Sequence, residues 1–385
     1  MSIIKEKFSN FICSLACFVL ITSCASSEVK QVSPQITEIS YTEVAILLPI
    51  TGPESEKTRE YISMIRAGLK DGSKAKIHLG IYDSATPEVL NKSLEVIFAR
   101  GTDIIIGPIY TAPTKIVAEQ IIGKGIVAFS LSNNPVLASQ QIYVFGHAPL
   151  QQLQTLINYS LKEDYDHYIS FMPESEWSRK TNQIIAELIK TRGKKLSATE
   201  FYNLGDHELV MVAVNELSKV IDNLPQNASK PVIILSDEKD ALDKLLPILA
   251  SRGIDKKAIL MSDNRINLSP ENNIDIIYTG SIAITQNNFL ALARDLGIDN
   301  ISFMHLLSYD IGRIVGENIG GFYNRKEFIA RLDDSNVFRA VSGDTHFSEH
   351  IAQRHYEIIK KEGSIYTVLH TGESEQNLAA YENRR

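Results

Sequence analysis

Cysteine is nearly missing from this chain of 385 residues: Cys13, Cys17 and Cys24 are the only three, and none follows residue 24. That excludes a disulfide framework, a thiol nucleophile and a cysteine-ligated metal from everything downstream. Apolar runs of the about 20 residues needed for a membrane-crossing helix are also missing, and the mean hydropathy of −0.06 fits no polytopic membrane protein. Positive charge is scarce, with 39 Lys and Arg against 46 Asp and Glu and a net charge of −7. This argues against the broad basic surface on which non-specific nucleic-acid binding depends. Neither G-x-x-x-x-G-K-[ST] nor G-x-G-x-x-G occurs, so nucleotide-driven chemistry has no phosphate cradle. What is present, 44% hydrophobic and 22% charged residues, is the composition of a folded protein. Its length suits about two domains of roughly 100–200 residues each.

The cysteines gather in a segment with its own grammar. Lys5 and Lys7 precede an apolar run over 11–21, broken only by Ser14, which has the charged and short apolar regions of a secretory signal. The following Ile21-Thr22-Ser23-Cys24 resembles the bacterial lipobox. That resemblance implies cleavage before Cys24 and lipidation of its sulfur. Because Ala25 rather than Asp comes next, it also implies periplasmic placement on the outer membrane. Acyl chains contribute about 0.8 kcal/mol per buried methylene, so two or three on one cysteine anchor durably. Residues 1–23 are thus expected to be a lipoprotein signal peptide and 24–41 a lipidated tether. The tether is rich in Ser, Thr, Gln and Glu, holds Pro34 and shows no helical or strand period.

A regular alternation follows. The apolar run 43–49 predicts a strand covered on both faces, ended by Thr51-Gly52-Pro53. Within 54–70, Tyr61, Ile62, Ile65 and Leu69 fall on one helical face. Strand 76–82, helix 88–100, strand 103–106, helix 114–122 and strand 127–131 continue the cycle. After 143–146 a second series begins, with helices expected over 150–161, 177–191, 208–221 and 240–252 between strands 167–171, 196–202, 232–235 and 258–261. A strand over 275–280, helices over 289–296 and 305–323, and short strand signals over 337–369 complete it. The pattern predicts an α/β protein of two doubly wound, Rossmann-like lobes with an interlobe cleft. Lobe one is expected over 42–145 and lobe two over 146–275. A return to lobe one should occupy 276–335, with a closing segment over 336–370, mainly in lobe two, and a flexible tail over 371–385.

At this point the residues resemble a family. Val44-Ala45-Ile46-Leu47-Leu48-Pro49-Ile50-Thr51-Gly52-Pro53 is similar to the opening strand and loop of type I periplasmic-binding proteins, of leucine-binding-protein type. Ile104-Ile105-Ile106-Gly107-Pro108 and Ala128-Phe129-Ser130-Leu131-Ser132-Asn133 are similar to their third and fourth strands. Val144-Phe145-Gly146-His147-Ala148-Pro149, running into Gln151 and Gln152, resembles the first interlobe crossing of the alphaproteobacterial penicillin-binding protein activators. Phe338-Arg339-Ala340-Val341-Ser342-Gly343, with Phe347 and Arg354, resembles the closing segment of the same group. The resemblance spans about residues 42–369. It implies a lipid-anchored, non-enzymatic periplasmic regulator that binds and activates a bifunctional penicillin-binding protein. The alternative that the shared fold implies is the solute-binding component of an ABC-type importer, closing on an amino acid or similar small ligand.

Open parallel sheets bind ligands beyond the carboxyl ends of their strands. That rule puts Thr51, Gly52, Tyr110, Thr111, Ser130, Ser132 and Asn133 on the lobe-one wall of the cleft. Glu174, Trp177, Asp237 and Asp263 fall on the lobe-two wall. Hydroxyls at helix N-termini suit a carboxylate, and in amino-acid binders a lobe-two acid receives the ammonium. The same residue types are also ordinary helix caps. Asn133 and the bulk of Tyr110 depart from the small residues of amino-acid binders, which favours a docking body. Three spacings invite an enzymatic reading. His346-x-x-Glu349-His350 has the order of an inverted zinc-protease motif, but it follows the turn signal Ser342-Gly343-Asp344. Ser236-Asp237-Glu238-Lys239 and Ser262-Asp263-Asn264 match S-x-x-K and S-D-N, yet no K-T-G accompanies them. No catalytic residue, metal or cofactor is therefore expected.

Overall fold

The computed structural model describes residues 41–163, 165–225, 229–237, 239–263, 273–280, 287–320, 323–332 and 336–370. The expected signal peptide, Cys24 and the tail 371–385 lie outside them. Lobe one opens with β1 (Thr42–Leu48), α1 (Ser55–Gly72), β2 (Ile77–Asp83), α2 (Pro87–Ala99), β3 (Ile104–Ile106), α3 (Thr111–Gln120), β4 (Val127–Ser130) and β5 (Ile142–Val144). The chain then crosses into α4 (Pro149–Lys162), β6 (His167–Pro173), α5 (Glu176–Thr191), β7 (Lys195–Tyr202), α6 (His207–Asp222) and β8 (Val232–Leu235). The second lobe continues through α7 (Lys239–Ser251), the short α8 (Ile254–Lys257), β9 (Ile259–Ser262) and β10 (Ile276–Gly280). Helices α9 (Asn287–Asp295), α10 (Phe303–Ile319) and α11 (Arg325–Arg331) precede β11 (Asp344–Ser348), β12 (Ile351–His355), β13 (Glu357–Glu362) and β14 (Ile365–His370).

These strands form two seven-stranded sheets, ordered β11-β12-β5-β4-β3-β1-β2 and β14-β13-β10-β9-β8-β6-β7. Strands β1, β3 and β4 are predominantly apolar and, from Val44 on, buried on both faces, because helices cover each side of a parallel sheet. One core of the first lobe joins Ile46, Ile106 and Phe129 to Leu307 and Ile311 of α10, and the other joins Leu47, Ile105 and Ala128 to α2 and α3. The second lobe repeats this with α6 and α7 on one face and α4 and α5 on the other.

Several sequence expectations need correction. The strand at 276–280 belongs to lobe two, not to the return: β10 runs parallel to β9 and antiparallel to β13. Its residues feed the cores on both faces, Ile276 and Tyr278 on one and Ile277 on the other, which is how a strand inside a covered sheet must read. The closing segment divides between the sheets. The β11–β12 hairpin extends the first, with β12 parallel to β5, and β13–β14 extends the second. Helix α10 stops at Ile319 instead of 323, where Gly320 takes φ of +76°. Helix α3 starts three residues before its expected position, since Pro113 in its first turn lacks only an N–H that no carbonyl awaits.

The return is bound to lobe one by glycines. A Cβ at Gly68 would lie 2.0 Å from the Tyr309 carbonyl oxygen, one at Gly72 2.3 Å from that of Arg313, and one at Gly312 2.2 Å from that of Ile65. With Gly316, whose Cβ would lie 3.0 Å from the Leu69 carbonyl oxygen, helices α1 and α10 therefore meet backbone to backbone, each through glycines four residues apart. Gly312→Ala is expected to force them apart and lower stability by about 3 kcal/mol, measured by chemical unfolding.

Candidate functional site

Three connections join the lobes, leaving β5, β10 and β12 at their carboxyl ends. Gly280 at the end of β10 pairs with Glu357 at the start of β13, so both sheets turn their strand ends toward these crossings. The predicted residues sit there. On lobe one, Thr51 Oγ1 donates to Asp83 Oδ2 at 2.6 Å, and Ile50 N donates to the other carboxylate oxygen at 3.0 Å. Asp83 ends β2. No motif marks it in the sequence, although the strand-end rule applies to β2 as well as to its neighbours. Gly52 is exposed, with φ of +86°.

The hydroxyls of the neighbouring strands form a closed ladder. Thr111 Oγ1 meets Ser132 Oγ at 3.1 Å, and Thr114 Oγ1 meets Ser130 Oγ at 2.9 Å. Ser132 N donates to Ser130 Oγ at 3.1 Å, and Asn134 N to Ser132 Oγ at 3.3 Å. Ser130 and Ser132 are buried. Tyr110 caps α3 with no side-chain capping bond and stands 48% exposed, while Asn133 points to solvent.

On lobe two the acids are likewise engaged. Glu174 pairs with Arg179, whose guanidinium lies over the Phe201 ring at 4.9 Å. Asp237 accepts from Tyr202 Oη at 2.8 Å. Asp263 is buried and accepts from Ser236 Oγ at 2.5 Å. Trp177, second residue of α5, is 41% exposed. Arg179 and Tyr202 carried no sequence signal, because each is defined by a partner from another element. The His346/Glu349/His350 spacing falls on a hairpin, with Glu349 and His350 at φ of +50° and +64° in a two-residue turn. Its histidines are thus not one helical turn apart, as the zinc motif requires.

Between the lobes the first and third crossings are clamped together. Arg354 on β12 is buried, and its Nη1 and Nη2 donate to the carbonyls of Gly146 (2.9 Å) and Phe145 (2.5 Å). The guanidinium also lies 4.5 Å over the Phe145 ring. Gln151 donates to Gln353 and accepts from Arg354 N at 3.3 Å. His147 Nε2 donates to Gln152 Oε1 at 2.6 Å while its ring packs on Phe303 at 4.8 Å. Gly146 is required here, since a Cβ would fall 2.1 Å from the Ser132 carbonyl oxygen. Buried Asp310 on α10 accepts from Val341 N and Ser342 N at 2.8 and 2.7 Å. Burial lowers the Arg354 pKa, opposed by Tyr356 and Asp310. Burial likewise raises that of Asp310 against its hydrogen bonds to residues 341 and 342.

Beside the lobe-one rim, His305 takes Ser302 N and Oγ on Nδ1 at 2.9 and 2.8 Å, and its Nε2 donates to Glu60 Oε2 at 2.9 Å. This box caps α10. Burial lowers the His305 pKa, opposed chiefly by Glu60. The unfolded chain therefore takes the proton first as pH falls below about 6.5, and the native state loses stability through that window. Urea midpoints should drop between pH 7.5 and 5.5, and drop less in His305→Gln. Arg354→Met leaves the carbonyls of Phe145 and Gly146 without their donor. It is expected to cost about 3 kcal/mol or more by chemical unfolding, with Arg354→Lys recovering only part because it lacks the fork.

No family model matches the sequence. Uncharacterized protein RP748 of Rickettsia prowazekii strain Madrid E is 35% identical over 371 residues, covering 96% of this chain and 99% of its own. Among solved structures, a branched-chain amino acid ABC transporter periplasmic ligand-binding protein from Burkholderia xenovorans LB400 superposes with a TM-score of 0.68 at 11% identity. It covers 85% of this chain and 94% of that one. The LpoA C-domain from Haemophilus influenzae, a regulator of PBP1A, superposes with a TM-score of 0.63 at 12% identity over 85% of this chain and 100% of its own. These likenesses show the two-lobed type I periplasmic-binding fold.

Proposed function

The chain belongs to the same family as RP748 of Rickettsia prowazekii, and from its two-lobed fold we propose that it is a non-enzymatic, lipid-anchored periplasmic regulator that binds and activates a peptidoglycan synthase. One observation carries this reading. At the strand ends, Thr51, Thr111, Ser130, Ser132, Glu174, Asp237 and Asp263 each spend a polar atom on a neighbour in the chain, while the aromatic rings of Tyr110 and Trp177 face solvent. A small zwitterion needs groups ready to receive it. A protein partner needs exposed aromatic anchors, which dominate interface energetics.

Activation follows by linkage: the body favours whichever synthase conformation it binds more tightly. Cys24 and the tether would hold it within reach, since 17 residues from Ala25 to Tyr41 extend to about 55–60 Å at 3.3–3.6 Å each. The resemblance of the LpoA C-domain, a regulator of PBP1A, supports the partner class. Pull-down and glycan-polymerisation assays with the cell's bifunctional penicillin-binding protein should show binding and a higher rate. Tyr110→Ala with Trp177→Ala should weaken binding roughly 30-fold, as loss of about 2 kcal/mol implies. Absence of both binding and a rate change overturns the proposal.

A second reading, a solute-binding protein for an amino-acid-like ligand, draws on the Burkholderia neighbour and on the α3 N-terminus, which has no side-chain cap at the rim. An amino-acid panel in thermal unfolding separates the two, because a ligand at 100 times its Kd adds about 2.7 kcal/mol of stability.

A further inference from the structure

The second lobe's core carries a polar seam where the sheet meets α4 and α5. Strand alternation fixes the face: Tyr168, Met172, Ile234, Met261, Ile277 and Ile358 all pack against Leu153 and Leu156 of α4 and Ile185 and Ile189 of α5. Side chains two residues further along each strand point the same way. Ser170 on β6, Ser236 after β8, Asp263 after β9 and Thr279 on β10 thus share that face, on four adjacent strands. The bond from Ser236 Oγ to Asp263 ties two of them together. The helices answer with Gln152 on α4 and Asn182 on α5.

All six are at least nine-tenths buried. Among the described residues, Ser170 Oγ, Thr279 Oγ1, Gln152 Nε2 and both amide atoms of Asn182 have no hydrogen-bond partner. Gln152 Oε1 is taken by His147, which leaves its amide nitrogen facing inward unanswered. A buried donor or acceptor without a partner is worse for stability than an apolar group of the same shape. Five such atoms on one interface, in a core otherwise built mainly of apolar side chains, need occupants that both donate and accept. Internal water meets that need and typically makes about three hydrogen bonds to such groups.

We propose that this seam is a built internal hydration site, with ordered water bridging Asn182 and Ser170 beneath α5 and Gln152 and Thr279 beneath α4. The inference is independent of the function proposed above. A high-resolution crystal structure of the full chain is expected to show water density within hydrogen-bond distance of Asn182 and Thr279. Thr279→Val and Asn182→Leu, which cannot hold that water, should each lower Tm by about 2–4 °C. Truly unpaired groups give the opposite sign, because removing them relieves a desolvation penalty. A Tm that holds or rises in both variants overturns the proposal. So does a dry seam in the wild-type map, which decides the matter even where a variant fails to fold.

Discussion

A guanidinium buried where two lobes meet is the constraint on which the rest of this molecule turns. Arg354 keeps its charge, and its burial is offset by the carbonyls of Phe145 and Gly146 in the geometry of its fork, by the Phe145 ring, and by Tyr356 and Asp310. Those carbonyls belong to the first crossing and the arginine to the third, so the charge closes the joint. Asp310, held by the backbone of residues 341 and 342, draws the closing segment against α10. Helix α10 in turn is locked to α1 through glycines that leave room only for backbone. A line of necessity runs from one buried charge to the packing of lobe one.

Much of this was legible in the sequence. The alternation of apolar runs and amphipathic segments gave nearly every element, because strands buried on both faces and helices with one apolar side leave unmistakable periods. The stretches around 144–149 and 338–354 stood out by resemblance. The structure supplies their physical reason: Gly146 lies against the Ser132 carbonyl and Arg354 grips the two residues before His147. What was not legible is partnership. Nothing local tells β10 which sheet to join, since a run such as Ile276 to Tyr278 suits any covered strand. Nor does the spacing of Gly68, Gly72 and Gly312 announce that α1 and α10 touch.

The candidate site divides along the same line. Strand-end residues were read from order along the chain, and each lies on the segment that follows or closes its strand. Their state was hidden, because whether a serine or an aspartate is available depends on neighbours from other elements: Asp83 for Thr51, Tyr202 for Asp237, Ser236 for Asp263. A rim whose acids and hydroxyls answer one another, with Tyr110 and Trp177 left outward, is the observation on which the docking proposal rests.

The polar seam and the clamp belong to one design. Gln152, in the first turn of α4 after the first crossing, takes His147 with its carbonyl and buries its nitrogen without a partner. Tyr356, on the third crossing, lies between Arg354 and the field of Asp263. Lobe one is therefore close-packed where α1 meets α10 backbone to backbone, and lobe two is polar beneath α4. Interlocked aliphatic side chains resist sliding because a close-packed interface has few alternative arrangements. Water-bridged polar groups exchange partners over short displacements at little expense. The α1–α10 contact and the seam beneath α4 therefore differ in kind, one close-packed through glycines and the other lined by buried polar groups.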